Sequence, residues 1–267
     1  MTAWLRVWWI MIHGLFGQVV IPFPGVGTPP TPCIPISGLL VWWEADIGSN
    51  CSGACTDGAS QSTWADQSGN GNNGNLNSYL SAMPCVASVY HTNQINGKPA
   101  VTFNGNTTDG SETCFEVSNT GLDNKATATA FLVMKNAGAF RALFGGSSNS
   151  LVWGAGAAAN PLQEIQQGST ANIGNGTLTG DTSWHQINFT YNSSTGAYAF
   201  RTDRAADGSG TNAKTISTNW IALGVTFAGG SISTFSGQIA EFFMYNRVLS
   251  GGEITTAETC LNTKYGL

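Results

Sequence analysis

The chain has 267 residues, room for one large domain or two small ones. Only 9% of them are charged, against about 25% in an average globular chain, the net charge is -5, and no Lys/Arg cluster occurs anywhere, which excludes the electrostatic footprint of a nucleic-acid or phosphate binder. A hydrophobic share of 42%, with 13 Phe, 9 Trp and 6 Tyr, excludes a disordered chain and supplies a core. The surface must therefore be neutral and polar, which suits neutral ligands, of which carbohydrates are the largest class. The 34 Gly, roughly twice the usual share of about 7%, together with abundant Asn, Ser and Thr, favour turns and strands over helices.

Residues 1–21 form an apolar segment unlike the rest of the chain, carrying Trp4, Trp8 and Trp9 and interrupted by Arg6, His13 and Gln18. It reads as a signal-like leader or as an arm that docks on a partner protein such as a capsid or filament. The three polar interruptions count against a membrane span. Residues 22–36 hold six of the nine prolines, so an extended, semi-rigid linker is expected there.

From residue 37 to 267 the pattern is of short strands and Gly/Asn/Ser turns, predicting a single domain. Strands are expected at 38–44, 99–103, 127–134, 141–144, 184–191, 197–201, 220–225 and 238–245. In 184–191, His185, Ile187, Phe189 and Tyr191 share one face, predicted core, and Gln186, Asn188 and Thr190 share the other, predicted solvent or ligand. Asn192–Gly196 is the turn of a hairpin. One helix is signalled: Ser250 and Glu253 have capping-box spacing, Ile254, Ala257, Leu261 and Tyr265 recur at helical intervals, and Gly266 ends the run.

Six cysteines, an even number with no zinc-type spacing, point to disulfides and an oxidising, extracellular compartment. Of the many pairings that six cysteines allow, the favoured set is Cys51 with Cys55, Cys85 with Cys114, and Cys33 with Cys260.

Asp66, Ser68 and Asn70, spaced by two and followed by Gly71, place three oxygen side chains around a turn as in a calcium loop. The position that would carry a closing glutamate is Asn77, so this is not an EF-hand. A Ca2+ site would have to borrow a carboxylate from Glu241, Glu44 or Asp46, and the alternative is an Asx/Gly turn that satisfies its own backbone. Glu44 and Asp46 are also the one carboxylate pair with glycosidase-like spacing, but no second glutamate follows. No nucleophile–His–acid triad is evident, since His13 lies in the arm, His185 faces the core and His91 lies in a loop.

Four blocks carry a resemblance: 38–46 (GLLVWWEAD), 64–72 (WADQSGNGN), 96–105 (NGKPAVTFNG) and 237–253 (GQIAEFFMYNRVLSGGE), the last followed by 261–266 (LNTKYG). Together, and in this order, they resemble the concanavalin A-like lectin/glucanase superfamily, and within it the laminin-G-like jelly-roll modules. The resemblance implies an all-β, two-sheet antiparallel sandwich with one short C-terminal helix, binding sugar or protein ligands and often a calcium ion. It carries a structural or calcium-associated role to Asp66, and with it Asn70 and Asn72. Trp64 and Trp153 are the candidate sugar-stacking aromatics, against the ordinary expectation that a Trp lies in the core. Glu241 is expected to share a strand face with Ile239, Phe243 and Tyr245, so it is either a buried carboxylate with a partner or, with Tyr245, the polar and aromatic members of a binding face.

The expected function is a non-catalytic carbohydrate-binding or adhesive module displayed outside the cell, with a glycan or cell-surface polysaccharide as partner. The alternative is a virion decoration or fibre subunit docked through residues 1–30. A glycoside hydrolase is the reading the sequence favours least.

Overall fold

The computed structural model of the chain describes residues 34–51, 55–76, 84–108, 110–118, 127–137, 141–145, 151–155, 161–167, 171–214, 216, 220–228 and 231–267. The arm 1–21, most of the linker and Cys33 lie outside the described residues.

The elements run β1 (Leu39–Glu44), α1 (Ala45–Gly48), β2 (Ser49–Cys51), β3 (Ala59–Trp64), β4 (Gly74–Asn75), β5 (Ser88–Ile95) and β6 (Lys98–Asn104). There follow β7 (Phe115–Ser118), β8 (Ala128–Asn136), β9 (Arg141–Gly145), β10 (Leu151–Ala155), β11 (Glu164–Gln167) and β12 (Ala171–Asn175). The last third holds β13 (Trp184–Asn192), β14 (Ala197–Thr202), β15 (Ala205–Thr211), β16 (Trp220–Leu223), β17 (Val225–Ala228), β18 (Ser231–Thr234), β19 (Ser236–Tyr245) and α2 (Gly251–Tyr265).

Antiparallel pairing builds two layers. In the first, β1 and β6 lie along different halves of β19, which continues to β8, β13, β14 and β15. In the second, the order is β3, β4, β7, β16, β9, β10, β11, β12. Strand β5 pairs with both β6 and β3 and so joins the layers. This is the expected β-sandwich, and Pro32–Leu267 forms one compact unit.

Strand alternation explains where the core sits. Ala130, Leu132 and Met134 of β8 and Ile187, Phe189 and Tyr191 of β13 point between the layers, where they meet Trp43, Trp64, Phe115 and Trp153. Trp43 stacks on Trp64 with ring centroids 6.2 Å apart, Phe115 sets its edge against Trp64 at 5.3 Å, and Trp153 meets Phe189 at 4.9 Å. The opposite face of the first layer is covered as well. Phe131, Val133, Phe243 and Tyr245 form a second apolar cluster with Ala257, Leu261 and Tyr265 of α2. Strands apolar on both faces are thus those lying between the second layer and the helix.

Local chemistry sets the ends of α2. Ser250 and Glu253 form the expected capping box, Arg247 donates to both Glu253 oxygens at 2.9 and 2.6 Å, and Gly266 closes the helix at φ 70°. The helix is also pinned by charge. Buried Glu258 accepts from Arg201 Nε at 2.7 Å and from Asn188 Nδ2 at 2.9 Å. The face of β13 predicted to be open is therefore partly under α2, and Gln186 and Asn188 on it are each 2% exposed.

Three local expectations are corrected. The run 220–225 is two strands, because Gly224 adopts φ +92° and a Cβ there would lie 2.4 Å from the Phe103 ring. A one-turn helix, α1, follows β1 directly, so Glu44 and Asp46 do not share a strand face. A register shift between Ile239 and Glu241 turns Ile239 to the inter-layer core, while Phe243 and Tyr245 face the helix.

Cys51 is bonded to Cys55 and Cys85 to Cys114. Cys260 is also disulfide-bonded, and its expected partner, Cys33, lies outside the described residues. The Cys85–Cys114 bridge spans 29 residues, and in the chain-entropy account a loop of that size stabilises by about 3 to 4 kcal/mol.

Candidate functional site

The Asp66 loop gathers the residues that the sequence grouped, as a hydrogen-bonded clamp. Asp66 Oδ1 accepts from the backbone N–H groups of Trp42 and Ser68, each at 2.9 Å, and Oδ2 accepts from Ser68 Oγ at 2.7 Å and Asn72 N at 2.9 Å. Asn70 Nδ2 donates to Leu39 O at 2.7 Å, and Asn72 Nδ2 to Leu40 O at 2.7 Å. The amide groups thus present donors to β1, whereas a hard cation takes oxygens. The carboxylates that were to be borrowed are engaged elsewhere: Asp46 with Lys98 at 2.6 Å, and Glu44 and Glu241 with Lys264. The loop fastens the start of the domain to itself, and Trp43 Nε1 adds a bond to Asn72 O at 2.8 Å.

Glu241 is not a ligand-facing group but the centre of a buried network. It is 1% exposed, and Oε1 accepts from Trp42 Nε1 at 2.7 Å while Oε2 accepts from Lys264 Nζ at 2.7 Å and Tyr265 OH at 2.8 Å. Glu44 stands directly opposite Glu241 in the β1–β19 register and meets the same ammonium at 2.5 Å. Burial first, then the Glu241 charge, raises the Glu44 pKa, and burial pushes the Tyr265 hydroxyl well above its ordinary value. Two carboxylates, one ammonium, a phenol and an indole N–H here fix the last turn of α2 to the sheet. A glycosidase needs an acid and a nucleophile that reach a sugar, and these two carboxylates are held under the helix by a shared lysine.

For the aromatic candidates it is the core alternative that the structure shows. Trp64, Trp153 and Tyr245 are each 0% exposed, so none offers a ring face to a sugar. All three sit on positions that alternation directs into one of the two apolar clusters. His185 is not a core residue. Its Nδ1 lies 2.7 Å from Asp203 Oδ2 and its Nε2 lies 2.9 Å from Asp181 Oδ1, and these contacts, Asp203 first, raise its pKa to about 9. His91, placed in a loop by the sequence, lies on β5 with Nδ1 3.2 Å from Asp57.

The surface that does face outward beside α2 was missed. Register places Trp184 of β13 opposite Lys135 of β8, Lys135 opposite Gln238 of β19, Gln238 opposite Thr102 of β6, and Thr102 opposite Val89 of β5. Trp184, Lys135, Gln238 and Thr102 are half-buried and Val89 is exposed. Gln238 Nε2 donates to Gln94 Oε1 at 2.9 Å and reaches Thr102 Oγ1 at 3.3 Å, which leaves a row of amide and hydroxyl groups ending at an indole. Next to Trp184 on the same face, Gln186 is 2% exposed and neither atom of its amide has a hydrogen-bond partner among the described residues. Three strand spacings of about 4.8 Å make the row from Trp184 to Thr102 about 14 Å long. In the sequence only the alternation of 184–191 hinted at it, since Gln186 and Asn188 were assigned to the face away from the core.

In the second layer Glu164 of β11 is a further unexpected group. It is 9% exposed, accepts from Gln166 Nε2, and burial raises its pKa to about 7.

A two-layer antiparallel sandwich with a single docked helix is a jelly roll of lectin-like fold. Residues 96–255 match the Laminin_G_3 model, described as the concanavalin A-like lectin/glucanases superfamily, and the chain belongs to that family. No curated protein matches the chain. Among solved structures, domain 4 of a GH43 extracellular arabinanase from Geobacillus stearothermophilus, in complex with arabinotriose, is similar at 17% identity and a TM-score of 0.58, covering 82% of this chain and 98% of that one. A GH54 α-L-arabinofuranosidase soaked with a cyclic sulfate inhibitor is similar at 12% identity and a TM-score of 0.62, with 85% of this chain and 63% of the enzyme covered. A botulinum neurotoxin type C structure, concerned with cell entry through two ganglioside molecules, is similar at 10% identity and a TM-score of 0.53, covering 85% of this chain and 52% of that one. At these identities the likeness is one of fold. Among the described residues no helix is long and apolar enough to cross a membrane.

Proposed function

We propose that this chain is a non-catalytic carbohydrate-binding module that works outside the cell. The observation that carries the reading is the outward row in which Trp184 adjoins Lys135, Gln238 and Thr102. An indole face packs on the apolar side of a sugar ring, and amides and hydroxyls in line with it meet the ring's hydroxyl groups. The fold supports the reading, since similar structures include an arabinanase domain in complex with arabinotriose and a toxin concerned with gangliosides. The buried Glu44–Lys264–Glu241 arrangement supports a binding role over a hydrolytic one. The disulfides suit an oxidising compartment.

A glycan array followed by calorimetry on the full chain tests the proposal. Binding to at least one glycan family is expected, weakened at least tenfold by Trp184→Ala, with no reducing sugar released from the bound glycan. A blank array overturns the binding role, and release of sugar that Glu241→Gln abolishes overturns the non-catalytic one.

A further inference from the structure

The row beside α2 carries one unmatched charge. Among the described residues the side chains of Lys98, Arg201, Arg247 and Lys264 are each paired with a carboxylate, whereas Lys135, like Arg204 and Lys214 elsewhere on the surface, has no ion pair, and Lys135 is the one of these three that lies in the row. It is half-buried and lies directly between Trp184 and Gln238 in the register. The buried carboxylate of Glu241, which pairs in register with Val133 on the same strand as Lys135, already takes donors from Trp42, Lys264 and Tyr265. An unpaired ammonium is thus held beside an indole in a chain whose net charge is -5. On the same face the Gln186 amide is buried with neither atom partnered, a state that native folds keep where something else supplies the partner.

We infer that the row binds an acidic glycan, with a sugar ring on Trp184, the anionic substituent on Lys135, and neighbouring hydroxyl groups on Gln238 and Thr102. This rests on the carbohydrate-binding reading and names its ligand class. The chain's overall negative charge repels polyanions in general, so selectivity must come from this local pairing, whose attraction weakens with added salt.

Matched pairs of oligosaccharides, uronate, sialylated or sulfated against their neutral counterparts, are titrated into the full chain by calorimetry at low and high salt. At least one acidic member is expected to bind tenfold or more tightly than its neutral counterpart. Lys135→Met is expected to weaken that binding at least tenfold, while Lys214→Met, a half-exposed lysine elsewhere on the surface, leaves it unchanged. Melting curves and circular dichroism of Lys135→Met matching the unsubstituted chain show that the loss is local. Equal binding of neutral and acidic members, or full acidic binding by Lys135→Met, overturns this inference and leaves the broader reading standing. Binding to none of the glycans overturns both.

Discussion

The Nζ of Lys264, in the last turn of α2, sits 2.7 Å from Oε2 of Glu241, a β19 carboxylate that is 1% exposed. The same ammonium meets Glu44 at 2.5 Å, so one lysine compensates two buried acids on neighbouring strands. Removing one partner of a buried pair leaves a charge with no solvent and no counterion, which costs about 3 to 5 kcal/mol. Lys264→Met is therefore expected to lower unfolding free energy by about that amount in urea titrations. Adding Glu44→Gln to it should recover part of the loss, because one of the stranded carboxylates is then neutral. A single substitution without measurable effect would show that the helix is held by its apolar face alone.

The Asp66 clamp predicts a loss of a different size. Asp66→Asn keeps the shape but turns one acceptor oxygen into a donor facing two existing donors, Ser68 Oγ and Asn72 N or Trp42 N and Ser68 N. About 1 to 3 kcal/mol of stability should be lost, the usual cost of leaving a donor or acceptor unsatisfied, and toward the lower end because Asp66 is only half-buried. The clamp is complete with protein donors, so melting with calcium and with chelator is expected to coincide. A melting temperature that rises with calcium concentration would assign a cation to the loop.

Glu164 couples stability to pH in the direction opposite to a paired carboxylate. Its pKa is raised by burial from 4.5 to about 7, so the folded state holds a proton that the unfolded state has released. Stability from this group is full below about pH 4.5 and falls as pH rises through about 7. Glu164→Gln should stabilise the domain at pH 8, by at most about 3 kcal/mol, and make little difference at pH 4. Equal effects at both pH values would contradict the assignment.

His185 reports a second window. Asp203 and Asp181 raise its pKa from 6.5 to about 9, so its contribution is fully present below about pH 6.5 and is lost as pH rises through about 9. The melting temperature is expected to fall across that interval, and the fall should be smaller in His185→Asn. An NMR titration of the imidazole resonances, with a midpoint near 6.5 instead of 9, would remove the ion pairs from the account.

Patterns of short range were readable from the chain alone. The period-two alternation of β13, the apolar runs of β8 and β19, the turn at Asn192–Gly196 and the Ser250–Glu253 box each act within a few residues, and each is found in the structure. The Asp66 motif was legible as a unit for the same reason, since most of its bonds close within the loop or onto β1. Less legible was which aromatic side chains would be buried. Trp153 and Trp184 both lie in strands among polar or Gly-rich neighbours, and only the packing of one layer on the other decides that the first is 0% exposed and the second half-exposed.

The sequence by itself determined an all-β domain with one capped helix, few charges and no basic patch, because composition, periodicity and capping are local properties, and its resemblance to a known family implied the two-sheet sandwich. Tertiary structure decided the rest. It decided between the two readings of Glu241 in favour of an anchor, because the lysine and tyrosine that donate to it arrive on a helix 23 and 24 residues later. It assembled the outward row from Trp184, Lys135, Gln238 and Thr102, which are far apart in the chain and become neighbours only through strand register. Pairing between distant strands is fixed by the burial of whole faces, and so the surface proposed to meet a ligand could not be read from any one segment.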